Sequence, residues 1–332
     1  MENHFPVTHS TLATNALMTD VLPEYDIGIP LECRLLCLGL NDTYLVKTRD
    51  GQYILRVYRE GWRSVSEILY ELDVLLFLRR ANCAVSVPLS RKDGSLIHPV
   101  AAAEGTRYVV LFTYAPGKDP AYEADEEEEA YQYGKALARI HTATEKFQSA
   151  HHRCVIDVAH LLDRPLTSIQ PFLAHRPADW QYVKTLAERL RTRVIGLPLE
   201  MLEQGFCHGD FHGGNAHFAD DNTVTFFDFD CCGWGWRAYD IAVFRWGASL
   251  AEKEKERWPP FLRGYRGERP ISENDLQATS YFVALRHFWL LGLHTDNGRD
   301  FGYGWMNDRY FDRAMKFFRA WEAEHLAEEP VA

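Results

Sequence analysis

The segment from residue 206 to residue 230 constrains the fold of this chain more than any other part of its sequence. It reads FCHGDFHGGNAHF, then a short polar turn, then VTFFDFD. Asp210, Asn215 and Asp228 therefore stand at short spacing, with apolar, strand-forming runs on both sides. One carboxylate, one amide and a second carboxylate suit a magnesium-dependent phosphoryl transfer. The pattern predicts that Asp210 accepts a proton from a substrate hydroxyl, and that Asn215 and Asp228 hold the metal ion.

The same residues resemble the active-site motifs of protein kinases. His208-Gly-Asp210-x-x-x-x-Asn215 has the form of the H-R-D-x-x-x-x-N catalytic loop, with glycine in place of arginine. Asp228-Phe-Asp230 stands where those enzymes carry Asp-Phe-Gly. The glycine and the Asp-Phe-Asp ending resemble the aminoglycoside phosphotransferase family, which also includes choline, homoserine and stress-response small-molecule kinases.

The resemblance covers most of the chain, from about Cys33 to Phe244. It implies an α+β, two-lobed protein-kinase-like fold, with a β-rich first lobe that holds one main helix and a mostly helical second lobe. The sequence itself predicts a short leading helix over 10–20, then strand-like runs with Asp-Gly turns, an amphipathic helix over 64–80 and strand again from Val85 to Phe112. Helical periodicity dominates later. We expect a nucleotide-binding lobe over 1–113 and a catalytic and substrate-binding lobe over 114–332.

Four residues of the first lobe are expected, by the same resemblance, to bind the nucleotide. Arg56 stands on a strand-like run where protein kinases keep a lysine, and Glu71 on the following helix is its expected partner. Arginine presents a planar fork to phosphate, where lysine presents a point charge. Thr113 and Ala115 resemble the hinge that offers one backbone carbonyl and one N–H to adenine. The resemblance thus implies ATP or GTP as co-substrate and Mg²⁺ as cofactor.

Composition argues against several other classes of protein. The formal net charge of −11 disfavours a nucleic-acid surface, which needs clustered Lys and Arg, and slightly favours a cationic substrate. The seven cysteines contain no CxxC pair, which fits free thiols in a reducing compartment. The sequence shows neither a signal-peptide pattern nor an apolar run of membrane length. We therefore expect a cytoplasmic protein that binds a nucleotide and a small molecule, without nucleic-acid or membrane partners.

Other functions stay open at this point. His208, Asp210 and His212 have the H-x-D-x-H spacing of a transition-metal site, which would suit a metal-dependent hydrolase. Arg56 and a glycine-poor hairpin would suit a kinase-like protein that binds nucleotide without catalysis. Protein serine or threonine is a further acceptor class, although the sequence shows no extended activation segment. The favoured acceptor is a hydroxyl of a small molecule, such as an aminoglycoside, an amino alcohol, a sugar or a nucleoside-like compound.

Residues around these motifs are expected to support them. His208 is expected to orient the loop through backbone hydrogen bonds, and Asp240 to brace it by accepting backbone N–H groups. Near the C-terminus, aromatic packing explains residues such as Arg286 and Trp289 as well as substrate binding does, so no role follows for them from the sequence.

Overall fold

The computed structural model describes residues 5–118, 126–197 and 199–326, which form two compact units. The first unit runs to Gly117 and also includes Gln148–His152 and Thr225–Phe227. The second unit contains the rest of the chain. The assignment of nucleotide binding to residues 1–113 and of catalysis to residues 114–332 stays a prediction.

The first unit is built on an antiparallel sheet of five strands in the order β1-β2-β3-β5-β4. The strands are β1 (Pro30–Leu38), β2 (Asn41–Thr48), β3 (Gln52–Tyr58), β4 (His98–Ala102) and β5 (Gly105–Thr113). A short helix, α1 (Thr14–Ala16), continues as the π-helical turn Leu17–Val21, and the buried Leu17 and Val21 of that turn join an apolar cluster with residues of the sheet. The three central strands β2, β3 and β5 contain runs of consecutive buried residues, so the core of this unit lies at the centre of the sheet.

Helix α2 (Val65–Arg80) is the main helix of this unit and begins where the sequence predicts. The Oγ atom of Ser64 accepts the Glu67 N–H at 3.3 Å, and Glu67 Oε2 accepts the Ser64 N–H at 2.9 Å. This reciprocal capping box satisfies two N–H groups that would otherwise lack a partner at the helix start. The apolar face is buried at helical spacing and comprises Ile68, Leu72, Val74, Leu75 and Leu78. Glu71 lies on the same buried face.

The second unit is mostly helical. Its helices are α3 (Glu126–Ala143), α4 (Arg164–Ile169), α5 (Pro177–Ile195), α6 (Arg237–Leu250), α7 (Glu254–Glu268), α8 (Glu273–Phe301) and α9 (Asp308–His325). Helix α3 packs on α7, and α6 packs on α8. In the ranges that the structure describes, no helix is both long and apolar enough to cross a membrane.

Short strands frame the polar segment that dominates the sequence. They are β6 (Val155–Ile156), β7 (Gln204–Cys207), β8 (Ala216–Phe218), β9 (Val224–Phe226) and β10 (Gly233–Trp236). The order β6-β10-β7 makes one small sheet, and β8 with β9 makes a two-stranded sheet. Strand β7 ends one residue before His208, and β9 ends two residues before Asp228. The short strands therefore fix both ends of the candidate catalytic segment.

Candidate active site

A tight turn after β7 presents Asp210. Gly209 has a φ of 82°, a left-handed conformation that favours glycine. A Cβ atom at this residue would lie 2.1 Å from the backbone oxygen of Cys231. Arginine, which protein kinases carry at this position of the motif, therefore does not fit here.

Asp240 holds this turn in place from α6. Its carboxylate is fully buried and accepts the backbone N–H groups of His208 at 2.7 Å and of Gly209 at 2.8 Å. The Nε2 atom of His141 lies 3.2 Å from the same carboxylate. The bracing role that we expected for Asp240 is confirmed.

Asp240→Asn is expected to lower the free energy of unfolding by about 1–3 kcal/mol, because the asparagine NH₂ would face a backbone donor and leave it unsatisfied. Denaturant unfolding of the purified variant measures this loss. The exposed Asp220→Asn change in the turn after β8 is the matched control, and a surface change of this kind costs within about 0.5 kcal/mol. Equal losses for the two variants would contradict the bracing role.

Asn215 is held directly against Asp210. Its Nδ2 atom donates to the backbone oxygen of Asp210 at 2.9 Å and to Asp210 Oδ2 at 3.2 Å. The backbone N–H of Asn215 donates to the His212 oxygen at 3.0 Å. Because the NH₂ group is turned towards Asp210, the amide oxygen on the other side is oriented to accept, which suits a hard cation.

The second contact of the Asp210 carboxylate comes from α8. Arg286 forms a short ion pair with Asp210 Oδ1, and its guanidinium lies 4.8 Å from the Trp246 ring centre and 4.5 Å from that of Trp289. Burial raises the pKa of Asp210, but the Arg286 charge, aided by His212, lowers it by a larger amount. The net effect holds the pKa of Asp210 far below its ordinary value. Sequence reasoning missed Arg286, although its spacing from Trp289 places both on one helix face.

A cavity of about 450 Å³ lies beside Asp210 within the second unit. Trp246 and Trp289 form part of its wall, and Arg257 and Arg286 bring two guanidinium groups to it. The candidate catalytic carboxylate thus faces a space large enough for a small organic molecule.

Asp228 follows β9 in a left-handed backbone conformation, with φ and ψ both 60°. Among residues other than glycine, Asn and Asp tolerate this region best, and such strained positions concentrate at functional sites. Asp230 is buried two residues later, with Oδ1 3.4 Å from Arg153 Nη2. Asp230 is therefore buried with Arg153 as its partner, whereas Asp228 is half-buried.

The residues expected to bind nucleotide lie in the first unit. Arg56 Nη1 is 2.7 Å from Glu71 Oε1, so the pairing that we expected is present. The Tyr58 hydroxyl donates to Glu71 Oε2 at 2.9 Å, and the Glu71 side chain is fully buried. The Arg56 guanidinium also lies 5.1 Å from the Phe112 ring centre. These contacts fix the direction of Arg56, while its role towards a nucleotide stays a prediction.

Thr113 and Ala115 lie at and just beyond the end of β5. The carbonyl of Thr113 accepts the Ser86 hydroxyl at 2.5 Å, and its Oγ1 atom accepts the Val87 N–H at 3.0 Å. A carbonyl oxygen has two lone pairs, so this contact is compatible with a second donor. Base recognition by Thr113 and Ala115 stays a prediction.

The transition-metal site considered for His208, Asp210 and His212 does not form. The ring of His208 is buried against Phe229, with ring centres 4.3 Å apart, and its Nδ1 atom accepts the Asp210 N–H at 3.3 Å. Within the described ranges, no three His, Cys, Asp or Glu side chains are arranged to hold a metal ion. His208 orients the loop, as we expected, and the geometry offers no support for the hydrolase.

Residues 39–271 match the Phosphotransferase enzyme family (APH). The chain belongs to this family. It is therefore a phosphotransferase that acts on hydroxyl groups of small molecules, as the motif around Asp210 predicts.

This APH-family chain is similar to other proteins, in sequence or in structure, over most of its length. An uncharacterized protein of Deinococcus radiodurans is 39% identical over 331 residues, which cover 97% of this chain and 94% of that protein. Among solved structures, amicoumacin kinase hAmiN in complex with AMP-PNP, Ca²⁺ and Ami has a TM-score of 0.71 at 23% identity, covering 82% of this chain and 83% of that one. A microcompartment-associated aminopropanol kinase has a TM-score of 0.70 at 26% identity, covering 92% of both chains. The expected α+β, protein-kinase-like fold is confirmed.

Proposed function

We propose that this chain transfers the γ-phosphate of ATP or GTP to a hydroxyl of a small molecule in a Mg²⁺-dependent reaction. The observation that carries the proposal is the Asp210 carboxylate, which is hydrogen-bonded by Asn215 and ion-paired with Arg286 at the wall of a cavity. The presence of AMP-PNP and Ca²⁺ in the solved complex of amicoumacin kinase hAmiN supports a nucleoside triphosphate and a divalent cation.

Each residue of the second unit has a separate task in this proposal. Asp210 orients the acceptor hydroxyl and takes its proton, while the acceptor oxygen bonds to the γ-phosphorus and the bond to the β–γ bridging oxygen breaks. The electron pair of the broken bond leaves with the nucleoside diphosphate. Asn215 and Asp228 provide an amide oxygen and a carboxylate, which are ligands that suit Mg²⁺. When bound, Mg²⁺ neutralises charge on the phosphate oxygens.

The first unit supplies nucleotide binding. Arg56, fixed by Glu71, contacts the α- and β-phosphates, and the backbone groups of Thr113 and Ala115 receive the base. The buried ion pair supports this proposal because it holds a planar guanidinium fork in one direction. We propose a cytoplasmic location because the seven cysteines are all free thiols.

Glu71→Gln is expected to raise the KM for nucleotide about tenfold, because an uncharged amide holds Arg56 less firmly than a carboxylate does. Steady-state kinetics at saturating acceptor measures this change, and the KM for acceptor should stay the same. Glu67→Gln, one helical turn earlier, is the matched control because glutamine keeps the capping box. An unchanged KM for nucleotide in Glu71→Gln would contradict the assignment of Arg56 to nucleotide binding.

The proposed function is tested by incubating the purified protein with ATP or GTP, with and without Mg²⁺, and a panel of hydroxylated acceptors. The panel contains an aminoglycoside, an amino alcohol, a sugar and a nucleoside. Phosphorus NMR identifies a new phosphate ester, and mass spectrometry confirms its mass. Metal-dependent formation of an ester supports the proposal, and failure to form an ester with any acceptor opposes it.

A further inference from the structure

The charged side chains that line the cavity beside Asp210 face partners within the protein. Asp210 forms a short ion pair with Arg286, and His212 Nε2 lies 3.5 Å from the same carboxylate. Arg257 Nη1 lies 3.9 Å from Oε2 of the buried Glu129. Opposite charges are therefore balanced here, in contrast to the net charge of −11 for the whole chain. A charged acceptor would have to compete with these partners, which disfavours it.

The indole N–H groups of the wall are also used within the protein. Trp246 Nε1 donates to His287 Nδ1 at 3.2 Å, and Trp289 Nε1 donates to His160 Nε2 at 3.0 Å. An indole has a single donor, so each ring presents apolar surface to the cavity. Both rings also lie against the Arg286 guanidinium, and an ammonium group that approached them would meet this like charge.

One face of helix α8 extends the apolar wall away from Asp210. The wall residues of this helix recur at spacings of three and four residues and are Arg286, Trp289, Leu290 and Leu293. Leu293 lies two helical turns beyond Arg286, about 10 Å along the axis. These side chains favour an apolar ligand body, whereas a body covered with hydroxyl or ammonium groups would lose its hydration there without replacement partners.

We propose that the acceptor is an uncharged alcohol with an aromatic or aliphatic body, whose hydroxyl lies at Asp210 and whose body lies along Leu290 and Leu293. This inference rests on the proposed phosphotransfer and specifies its acceptor. It replaces the slight preference for a cationic substrate that the net charge of the chain suggests. Aminoglycosides, protonated amino alcohols and hydroxylated acids are disfavoured, because each would bring a charge to a wall whose charges are already balanced.

Four benzyl alcohols of similar shape test the charge preference directly on the wild-type protein. They are the apolar 4-methylbenzyl alcohol, the polar but uncharged 4-(hydroxymethyl)benzamide, the cationic 4-(hydroxymethyl)benzylamine and the anionic 4-(hydroxymethyl)benzoate. We expect kcat/KM for 4-methylbenzyl alcohol to exceed that for each charged compound about tenfold or more, because a charge that leaves water for an apolar wall needs a new partner. The benzamide should rank between them. Steady-state phosphoryl transfer at saturating nucleotide and Mg²⁺ measures the ranking.

Charges introduced at Leu293 test where the body of the acceptor lies. Leu293→Glu should raise kcat/KM for the benzylamine relative to 4-methylbenzyl alcohol about tenfold, and Leu293→Lys should do the same for the benzoate, because each supplies the opposite charge. Leu293 is half-buried, so the new charge reaches water and the fold should persist. Leu276→Glu and Leu276→Lys are the matched controls, because Leu276 is a half-buried leucine of the same helix outside the cavity wall. If neither Leu293 variant folds, the ranking on the wild-type protein decides alone.

The outcomes separate this inference from the proposed function. Phosphorylation of the benzylamine or the benzoate in preference to 4-methylbenzyl alcohol overturns the inference and leaves the phosphotransfer intact. Transfer to a sugar or an aminoglycoside, with none to the four benzyl alcohols, does the same. A ranking that is unchanged in both Leu293 variants, or that changes equally in the Leu276 variants, also overturns it. The absence of metal-dependent phosphoryl transfer to every acceptor in both panels overturns the proposed function itself.

Discussion

Replacing Asp210 with asparagine is expected to lower kcat by about 10²- to 10⁴-fold, which is the usual contribution of a positioned general base. Asparagine keeps the size of the side chain, and its carbonyl oxygen can still accept the hydrogen bond from the Asn215 amide. It cannot accept the proton of the acceptor hydroxyl. Steady-state phosphoryl transfer measures the loss, and the KM for nucleotide should change little because the nucleotide contacts are assigned to other residues.

The same variant should also lose stability, because the buried charge of Arg286 would no longer have a carboxylate beside it. Arg286 is 1% exposed, and removing one member of a buried ion pair typically costs about 3–5 kcal/mol. The sign of the pH dependence follows from the lowered pKa of Asp210. The stabilisation is fully present above the unfolded-state pKa of about 3.9, and it is lost as the pH falls towards the lower pKa of the folded state. Wild type and variant should therefore differ most in denaturant unfolding near neutral pH and least in acid.

The double variant Asp210→Asn with Arg286→Gln separates the two effects. It removes both charges, so its stability should exceed that of Asp210→Asn alone, while its kcat should stay low because the base is still absent. Arg286→Gln alone should destabilise, since it leaves the half-buried Asp210 carboxylate without its cationic partner. If the loss of stability in the double variant equalled the sum of the losses in the two single variants, the ion pair would be contradicted.

Local sequence order accounts for the part of the site that could be predicted. Asn215 and Asp210 are five residues apart and are joined through a single turn, so their spacing in the chain determines their contact in space. The glycine at 209 likewise follows from the backbone conformation that this turn requires. These features depend on residues within one segment, and a motif records them directly.

Contacts between distant segments account for what the sequence did not reveal. Arg286 meets Asp210 across 76 residues, and the packing of α8 against other elements of the second unit, α6 and α4 among them, brings the two residues together. The periodic pattern of α8 predicts a helix, but it does not indicate which side faces the catalytic turn. For this reason Arg286 and Trp289 were indistinguishable in the sequence from residues of an ordinary aromatic core.

In the first unit, the sequence also did not predict all bounds of the helices and strands correctly. The leading helix was expected over 10–20, but the structure divides it into α1 and the π-helical turn Leu17–Val21. Strand was also expected from Val85 to Phe112, but the continuous strands begin only at β4. Pro88 has no N–H to donate and forms only an isolated bridge with Phe112. Apolar content alone therefore overestimated the length of strand before β4.

Asp228→Asn is expected to reduce Mg²⁺-dependent phosphoryl transfer by about 10³-fold or more, because a metal ion contributes several kcal/mol of charge stabilisation in the transition state. Asparagine tolerates the left-handed backbone at this residue, so the fold should persist. A titration with Mg²⁺ should show a weaker apparent affinity, and the residual rate should depend less steeply on the metal.

Asp230→Asn is the matched control, since it removes a carboxylate two residues away that is paired with Arg153. Loss of that buried partner should lower the free energy of unfolding, while the apparent affinity for Mg²⁺ at temperatures where the variant is folded should match that of wild type. The two variants thus separate a metal ligand from a structural carboxylate within one short segment. If Asp228→Asn kept the wild-type rate and metal dependence, or if Asp230→Asn alone weakened the dependence on Mg²⁺, the assignment of Asp228 as the metal-binding carboxylate would be wrong.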